Sequence, residues 1–299
     1  MILSVGEILV DMIGAEKDNV FCYERKAGGA PFNVACAAAK FGADSAFVGC
    51  VGDDTVGNFL EKFVKEQGLT CAYVKKYTTV NTTLAFVELD KNGERSFCFY
   101  RKNTADYRLP EITEDIFSKS DIVHIGSLML SEPQGEQYAL RLAQKTKEAG
   151  KLVSFDVNFR DDIFRDTQAA VAVYKKLIAV ADIVKFSEDE MDIFTKAYVE
   201  SLTDKLVCIS LGGKGSQWRY QGNVKNVQSI AVKPVDTTGA GDAFYAGVLS
   251  QIDRIPRKDW TETLLDNAFR FGNICGALNT LGRGAIDCLP NLATVKSYL

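Results

Sequence analysis

Residues 236–244 read DTTGAGDAF, a stretch whose residue types suit phosphoryl chemistry. Gly239, Ala240 and Gly241 directly precede an acid, Asp242, and the apolar run AFYAGVLSQI follows. A helix starting here presents unpaired N–H groups and a partial positive charge, and small residues let those amides approach an anion closely. Asp242 then falls in the first helical turn, beside the anion, where a carboxylate can accept a proton from an incoming hydroxyl. An acid next to an anion site suggests phosphoryl transfer. A plainer reading fits the same residues: Asp236 caps a turn, Asp242 complements the helix dipole and the glycines serve a tight bend. Because a helix N-terminus favours the ionised carboxylate, the sequence predicts that Asp242 is a weak base.

Other chemistries are poorly served. The chain has neither G-x-x-x-x-G-K-[ST] nor G-x-G-x-x-G, and His124 is its only histidine, which disfavours His-based triads and His-rich metal sites. His124 reads as a structural strand-end residue. The eight cysteines, at 22, 36, 50, 71, 98, 208, 275 and 288, form no C-x-x-C pair. Most sit in apolar runs, which predicts buried, reduced thiols and a cytoplasmic, reducing compartment. Net charge is −4 and the 35 Lys and Arg residues are scattered, so no nucleic-acid partner is expected. The opening MILSVGEILVDMIG lacks a basic flank and reads as a buried strand rather than a signal peptide. No stretch approaches about 18 uninterrupted apolar residues, so no membrane partner is expected.

The elements that must position these residues alternate. ILSVGEILV, SAFVGCVG, DIVHIGSL, LVSFDV, DIVKFS and LVCISLG read as strands. Between them, residues 55–67 place Val56, Leu60, Phe63 and Val64 on one helical face before Gly68, and residues 134–149 do the same before Gly150. This alternation predicts an α/β chain with a mainly parallel sheet covered on both faces, whose ligands gather at the carboxyl ends of the strands. Two segments break it. Residues 79–101 read as a β-hairpin turning at DKNG, and residues 12–27 as irregular or extended chain. Together, from about 12–27 and 79–107, they predict a small β-rich lid that excludes water from a substrate. The hairpin's apolar side, Leu84, Phe86, Phe97 and Phe99, suits packing over a ligand or pairing across a homodimer.

The DTTGAGDAF segment also resembles the C-terminal signature of the ribokinase-like, or phosphofructokinase-B type, carbohydrate kinases, and other elements agree in order. GGAPFNVACAAAKFG (28–42) resembles the N-terminal sugar-binding signature, FVGCVGDDTVG (47–57) follows, DVNFR (156–160) resembles the Asp-x-Asn-x-Arg element and SEDE (187–190) the Asn-x-x-Glu element. SLGGKGS (210–216) and GRGAIDCLP (282–290) complete the series, so the likeness spans almost the whole chain. It implies a ribokinase-like three-layer α/β/α domain over residues 1–299. The implied activity is transfer of the γ-phosphoryl group of ATP to a primary hydroxyl of a small sugar. GGAPFN and FCFYRKNTAD are most similar to fructokinases, which points to D-fructose and fructose 6-phosphate; 2-keto-3-deoxygluconate and ribose are the alternative sugars. A catalytically silent sugar-binding regulator is the alternative outside enzymes.

Carried onto this sequence, the resemblance makes Asp242 the general base and the amides of Gly239, Ala240 and Gly241 the anion hole, with Arg160 near the reacting groups. Asp11, Gly28, Gly29, Asn33 and Arg101 would hold the sugar. Ser187, Gly212, Lys214, Gly215 and Asn273 would lie along the nucleotide, and Glu190 would organise water around Mg²⁺. Asp236, Thr238, Asn279, Gly282, Gly284 and Cys288 would form a site for K⁺. The sequence departs from the pattern at Ser187 (usually Asn), at Val157 (commonly Pro) and at Cys288 (often Ser), and the last leaves potassium dependence open. Plainer roles also exist: a turn at Gly28-Gly29 before a helix beginning at Pro31, a solvated hairpin charge at Arg101, a surface pair of Arg160 with Asp161 or Asp162, and a local cap at Asn33.

Overall fold

Apolar residues on both sides of a strand need cover on both sides, and the main sheet's strands meet that need by alternation. Ile2 packs into one core and Leu3 into the other; Phe47 and Val48, then Ile183 and Val184, divide in the same way. The computed structural model describes residues 1–89, 95–160, 163, 164 and 166–299. In chain order the strands are β1 (Ile2–Val5), β2 (Leu9–Lys17), β3 (Val20–Gly28), β4 (Ser45–Gly52), β5 (Cys71–Tyr77), β6 (Leu84–Leu89) and β7 (Arg95–Tyr100). They continue with β8 (Ile122–Ile125), β9 (Leu152–Asp156), β10 (Ile183–Ser187), β11 (Leu206–Ser210), β12 (Ser216–Tyr220) and β13 (Asn223–Val227). Helices are α1 (Ala30–Lys40), α2 (Thr55–Lys65), α3 (Glu114–Ser118), α4 (Pro133–Glu148) and α5 (Thr167–Val180). After them come α6 (Glu188–Phe194), α7 (Lys196–Ser201), α8 (Ala240–Ile252), α9 (Glu262–Asn279) and α10 (Leu292–Lys296).

Among the described residues, nine strands form the main sheet in the order β13-β12-β11-β10-β9-β8-β1-β4-β5. Pairing is parallel from β11 through to β5, while β12 and β13 are antiparallel. Helices α1, α2, α8 and α9 cover one face and α3, α4, α5, α6 and α7 the other, giving the expected three layers.

A second sheet, ordered β3-β2-β6-β7, stands apart from the first. The run ILSVGEILV is therefore two strands. At Gly6 the chain passes tightly against Pro31 (an added Cβ would lie 2.7 Å from its Cγ), leaves the main sheet and enters the small one. Residues 12–27 are not irregular: they belong to a β2–β3 hairpin with Asp18 and Asn19 in the left-handed turn region. The DKNG turn lies outside the described residues, as does the side chain of Phe97.

Register divides the apolar residues that were expected to share one face. Phe86 pairs with Met12 and Cys98, whereas Phe99 pairs with Ala85 and packs with Leu9 and Leu128 toward the main sheet. On the opposite face, Phe21, Tyr23, Phe86 and Tyr100 form a chain of edge-to-face contacts with centroids 5.0–5.2 Å apart. The cysteine expectation holds for Cys36, Cys50, Cys208 and Cys275, which are buried. Cys22 and Cys98 are exposed on opposite faces of the small sheet, and Cys71 and Cys288 are partly buried. Helix α1 begins at Ala30, so Pro31 is its second residue, still within the turn whose N–H groups need no helical partner.

Candidate active site

The start of α8 is built by a backbone constraint. Gly239 adopts φ +71°, and a Cβ there would lie 2.6 Å from Ala285 Cβ, so only glycine fits. Gly241 is open, the nearest group to an added Cβ being Lys185 Nζ at 3.4 Å. Gly241 thus lies beside an ammonium, which adds to the helix's own partial charge. Lys185, in the middle of β10, pairs in register with Asp156, the last residue of β9, and the two are buried together, with Nζ 2.9 and 2.8 Å from the two carboxylate oxygens. Burial alone would lower the Lys185 pKa, but Asp156, Glu190 and Asp242 outweigh it and raise it, so the lysine stays charged.

Asp242 is partly buried and accepts a hydrogen bond of 2.8 Å from Asn33 Nδ2, which joins α8 to α1. Its pKa is raised from 3.8 to about 6, first by burial and then by the Asp156 charge, against the pull of Asn33, Lys185 and Arg160. This corrects the expectation of a weak base: loss of water around the carboxyl outweighs the helix terminus. Arg160, after β9, acts on Asp242 through its charge. Its suggested partners Asp161 and Asp162 lie outside the described residues. Val157, where proline was expected, donates its N–H to the Lys185 carbonyl at 3.0 Å, a bond proline cannot make.

On the small-sheet side, Gly28 ends β3 facing Asp11 on β2; a Cβ at Gly28 would collide with Asp11 Oδ2. Gly29 caps α1 at φ +109°, where a Cβ would lie 2.5 Å from the Glu7 carbonyl oxygen. Arg101 is no solvated hairpin charge. It is buried, bonds Asp106 through Nε at 2.5 Å and Ser131 through Nη1 at 2.8 Å, and stacks 4.0 Å from the Tyr107 ring centroid. Asp106 also accepts from Thr83 and Thr104, so the guanidinium ties together the segments that flank β6, β7 and β8. Only its Nη2, a buried atom, lacks a hydrogen-bond partner, and Asn33 Oδ1 is in the same condition.

Beside the Lys185–Asp156 pair, at the carboxyl end of β10, Ser187 and Glu190 form a reciprocal cap of α6. Glu190 Oε2 accepts from Ser187 N at 2.7 Å, and its Oε1 accepts from Phe159 N at 2.6 Å. With both oxygens engaged, Glu190 suits a cation held through water, and with Asp156 it supplies the hard oxygens that Mg²⁺ prefers. Gly212 and Lys214 lie in a tight turn before Gly215, whose φ of +101° and close approach to the Val227 carbonyl oxygen exclude other residues. Asn273 on α9 donates to that same Val227 carbonyl at 2.9 Å, while Lys214 pairs with Glu188 at the surface. The residues expected along a nucleotide therefore converge on the ends of β10, β11 and β13.

Next to α8, Asp236 accepts from Thr238 N and Oγ1 at 2.7 and 2.6 Å and from Gly284 N at 3.0 Å, and Asn279 Nδ2 donates to the Thr238 carbonyl at 3.2 Å. Asn279 Oδ1 is buried without a partner. Gly282 lies against Cys288, whose thiol donates to the Arg283 carbonyl. The two loops expected to surround a monovalent ion are thus tied together with an acceptor oxygen left over.

The chain matches the pfkB family carbohydrate kinase model over residues 1–292. The chain belongs to the pfkB family of carbohydrate kinases. It is similar to the probable fructokinase-5 of Arabidopsis thaliana, 37% identical with 100% of this chain and 97% of the relative covered. Its structure resembles that of a fructokinase with bound ATP from Xylella fastidiosa (TM-score 0.92, 30% identity, 99% and 97% covered). A fructokinase from Vibrio cholerae in a fructose-, ADP- and calcium-bound form is also similar (TM-score 0.88, 32% identity, 100% and 98% covered). These likenesses make the pfkB chain a sugar kinase of ribokinase-like fold.

Glu7, Lys185 and the pairing of Asp156 with Lys185, all beside the candidate site, escaped the sequence reading. Each is a charge embedded in an apolar strand run (SVGEILV, IVKFS and LVSFDV), and that interruption was the available signal. Glu7 is buried with neither carboxyl oxygen hydrogen-bonded. Burial raises its pKa from 4.5 to about 8, opposed by Arg101 and by a contact with its own backbone N–H too poorly aligned to count as a hydrogen bond, with Asp106 and Asp242 adding.

Proposed function

We propose that the chain phosphorylates D-fructose at O6 with ATP, giving fructose 6-phosphate and ADP. The observation that carries this reading is Asp242, a carboxylate with its pKa raised to about 6, set in the first turn of α8 beside the open Gly241 backbone and Lys185. The O6 oxygen bonds to the γ-phosphorus, the bond from that phosphorus to the β-bridging oxygen breaks and ADP leaves, while the O6 proton passes to Asp242. The amides of Gly239, Ala240 and Gly241, with Lys185 and Arg160, face the charge on the transferred group. Bound near Asp156 and Glu190, Mg²⁺ would supply charge neutralisation on the phosphates.

Residues 1–299 act as one kinase domain, with the small sheet as its lid. Asp11, Gly28, Gly29, Asn33 and Arg101 hold the sugar; Ser187, Gly212, Lys214, Gly215 and Asn273 border the nucleotide. The similar fructokinases support fructose over ribose or 2-keto-3-deoxygluconate, and an acidic Asp11 disfavours the acid sugar by repulsion. K⁺ takes a place among Asp236, Thr238, Asn279, Gly282, Gly284 and Cys288, where Asn279 Oδ1 offers a free acceptor. The exposed aromatic face bearing Phe21 and Tyr100 pairs with a second copy to form a homodimer, and the buried thiols suit a cytoplasmic location.

The test is ADP release from fructose, ribose, 2-keto-3-deoxygluconate and a nucleoside. A kcat/KM for fructose about tenfold or more above the others supports the assignment, since tenfold needs only about 1.4 kcal/mol of differential transition-state binding. Preference for the acid sugar would overturn it.

A further inference from the structure

Glu7 stands where the chain leaves β1 for the small sheet, and its surroundings give its carboxyl little room. A Cβ added at Gly126 would lie 2.7 Å from Glu7 Oε2, and Gly126 and Gly6 both press on Pro31. A buried carboxyl with no hydrogen bond is costly, and buried polar atoms without partners call for an explanation. Neither Glu7 oxygen has one, and two further orphans belong to residues of the same region: Arg101 Nη2 and Asn33 Oδ1. Both residues are otherwise fixed, Arg101 by Asp106 and Ser131, Asn33 by Asp242. The orphans comprise one obligate donor, one acceptor and one carboxyl. A sugar hydroxyl both donates and accepts, so neighbouring hydroxyls need that mixture.

We propose that the Glu7 carboxyl is a sugar-binding group, taking a substrate hydroxyl alongside Arg101 Nη2 and Asn33 Oδ1. This rests on the sugar-kinase reading above. The charged and titratable groups acting on Glu7 are Arg101 beyond β7, Asp106 in the following turn, Asp242 on α8 and Tyr174 on α5. With its pKa at about 8, Glu7 is neutral at pH 7 and offers a donor as well as an acceptor. As pH rises through about 8, the donor is lost and a negative charge, only partly offset by Arg101, appears beside the sugar.

The wild-type protein is first run on the four-acceptor panel, so a failure of the fructose assignment is seen there alone. Wild type, Glu7→Gln and Glu7→Ala are then compared on whichever acceptor wild type uses best, with ATP binding measured separately in the absence of sugar. Glu7→Ala should raise the sugar KM about tenfold or more while ATP affinity stays within about twofold, as when a single hydroxyl subsite is deprived of its hydrogen bond. Glu7→Gln should recover most of that loss and abolish the decline in kcat/KM expected of wild type above about pH 8. If Glu7→Ala does not fold, the Glu7→Gln pH profile decides alone. An unchanged sugar KM in Glu7→Ala, equal losses for sugar and ATP, or a Glu7→Gln profile that keeps the alkaline decline would each overturn the proposal.

Discussion

Lys185 and Glu7 are both ionisable residues inside otherwise apolar stretches of sequence, yet they are treated in opposite ways. Lys185 faces both oxygens of Asp156, and its charge is retained. Glu7 has no such partner, and its charge is suppressed. The difference separates two halves of the cleft. In the half proposed for phosphoryl transfer, charges are paired by the fold in advance, which would leave little reorganisation to the reaction. Where the sugar binds, donors and acceptors of Glu7, Asn33 and Arg101 are positioned by the fold but left unmet within it, so hydroxyls of the right pattern complete them.

The phosphoryl half breaks most sharply at its base. Asp242→Asn keeps size and the Asn33 hydrogen bond but removes proton acceptance, and turnover should fall about 10²–10⁴-fold while ATP and sugar binding persist. Retention of more than about a tenth of wild-type turnover would remove Asp242 from that role. The same substitution should raise the thermal midpoint at neutral pH. A raised folded pKa means the native state holds more protons than the unfolded chain between pH 3.8 and about 6, so stability from this group declines as pH rises across that window.

The next effect falls on the buried pair. Lys185→Met leaves Asp156 uncompensated and should destabilise the fold by about 3–5 kcal/mol in urea unfolding, whereas Lys185→Met with Asp156→Asn should recover much of it. Equal losses in single and double variants would show that the pair is not the unit. The smallest effect belongs to the cation loops. Exchange of sodium for potassium should raise the rate, and Cys288→Ser should change that ratio by no more than about twofold, because in the proposed site backbone carbonyls and Asn279 would supply the oxygens. Equal rates in the two salts would remove K⁺ from the account.

Much of the phosphoryl half was legible because its requirements are local. A left-handed residue before a helix demands glycine, as at Gly239, and an acid three residues on is fixed by helical spacing. The three-layer fold was legible for the same reason: two-sided burial leaves short apolar runs such as LVSFDV and DIVKFS. The departure of ILSVGEILV from one strand to two was hidden because its cause, the Gly6–Pro31 contact, joins residues distant in sequence. The Asp242 environment was misread because burial is a tertiary property, while the helix dipole can be inferred from position alone. Arg101 was half legible: its place at the end of β7 followed from the hairpin, but its clamp on Asp106 and Ser131 needed the fold. The faces of the small sheet were misassigned because Phe86 and Phe99 lie on different strands, and only register decides their sides.

The contrast between the two halves rests on two carboxyl groups pushed up to different extents, and the pH profile of kcat/KM for the sugar reads both at once. Asp242 must be ionised to accept the hydroxyl proton, and Glu7 must be neutral to donate to the sugar. The account predicts a bell, rising through about pH 6 and falling through about pH 8, with Glu7→Gln removing only the alkaline limb. A profile flat down to about pH 4.5 would leave Asp242 at an ordinary carboxylate value and contradict the account at its centre.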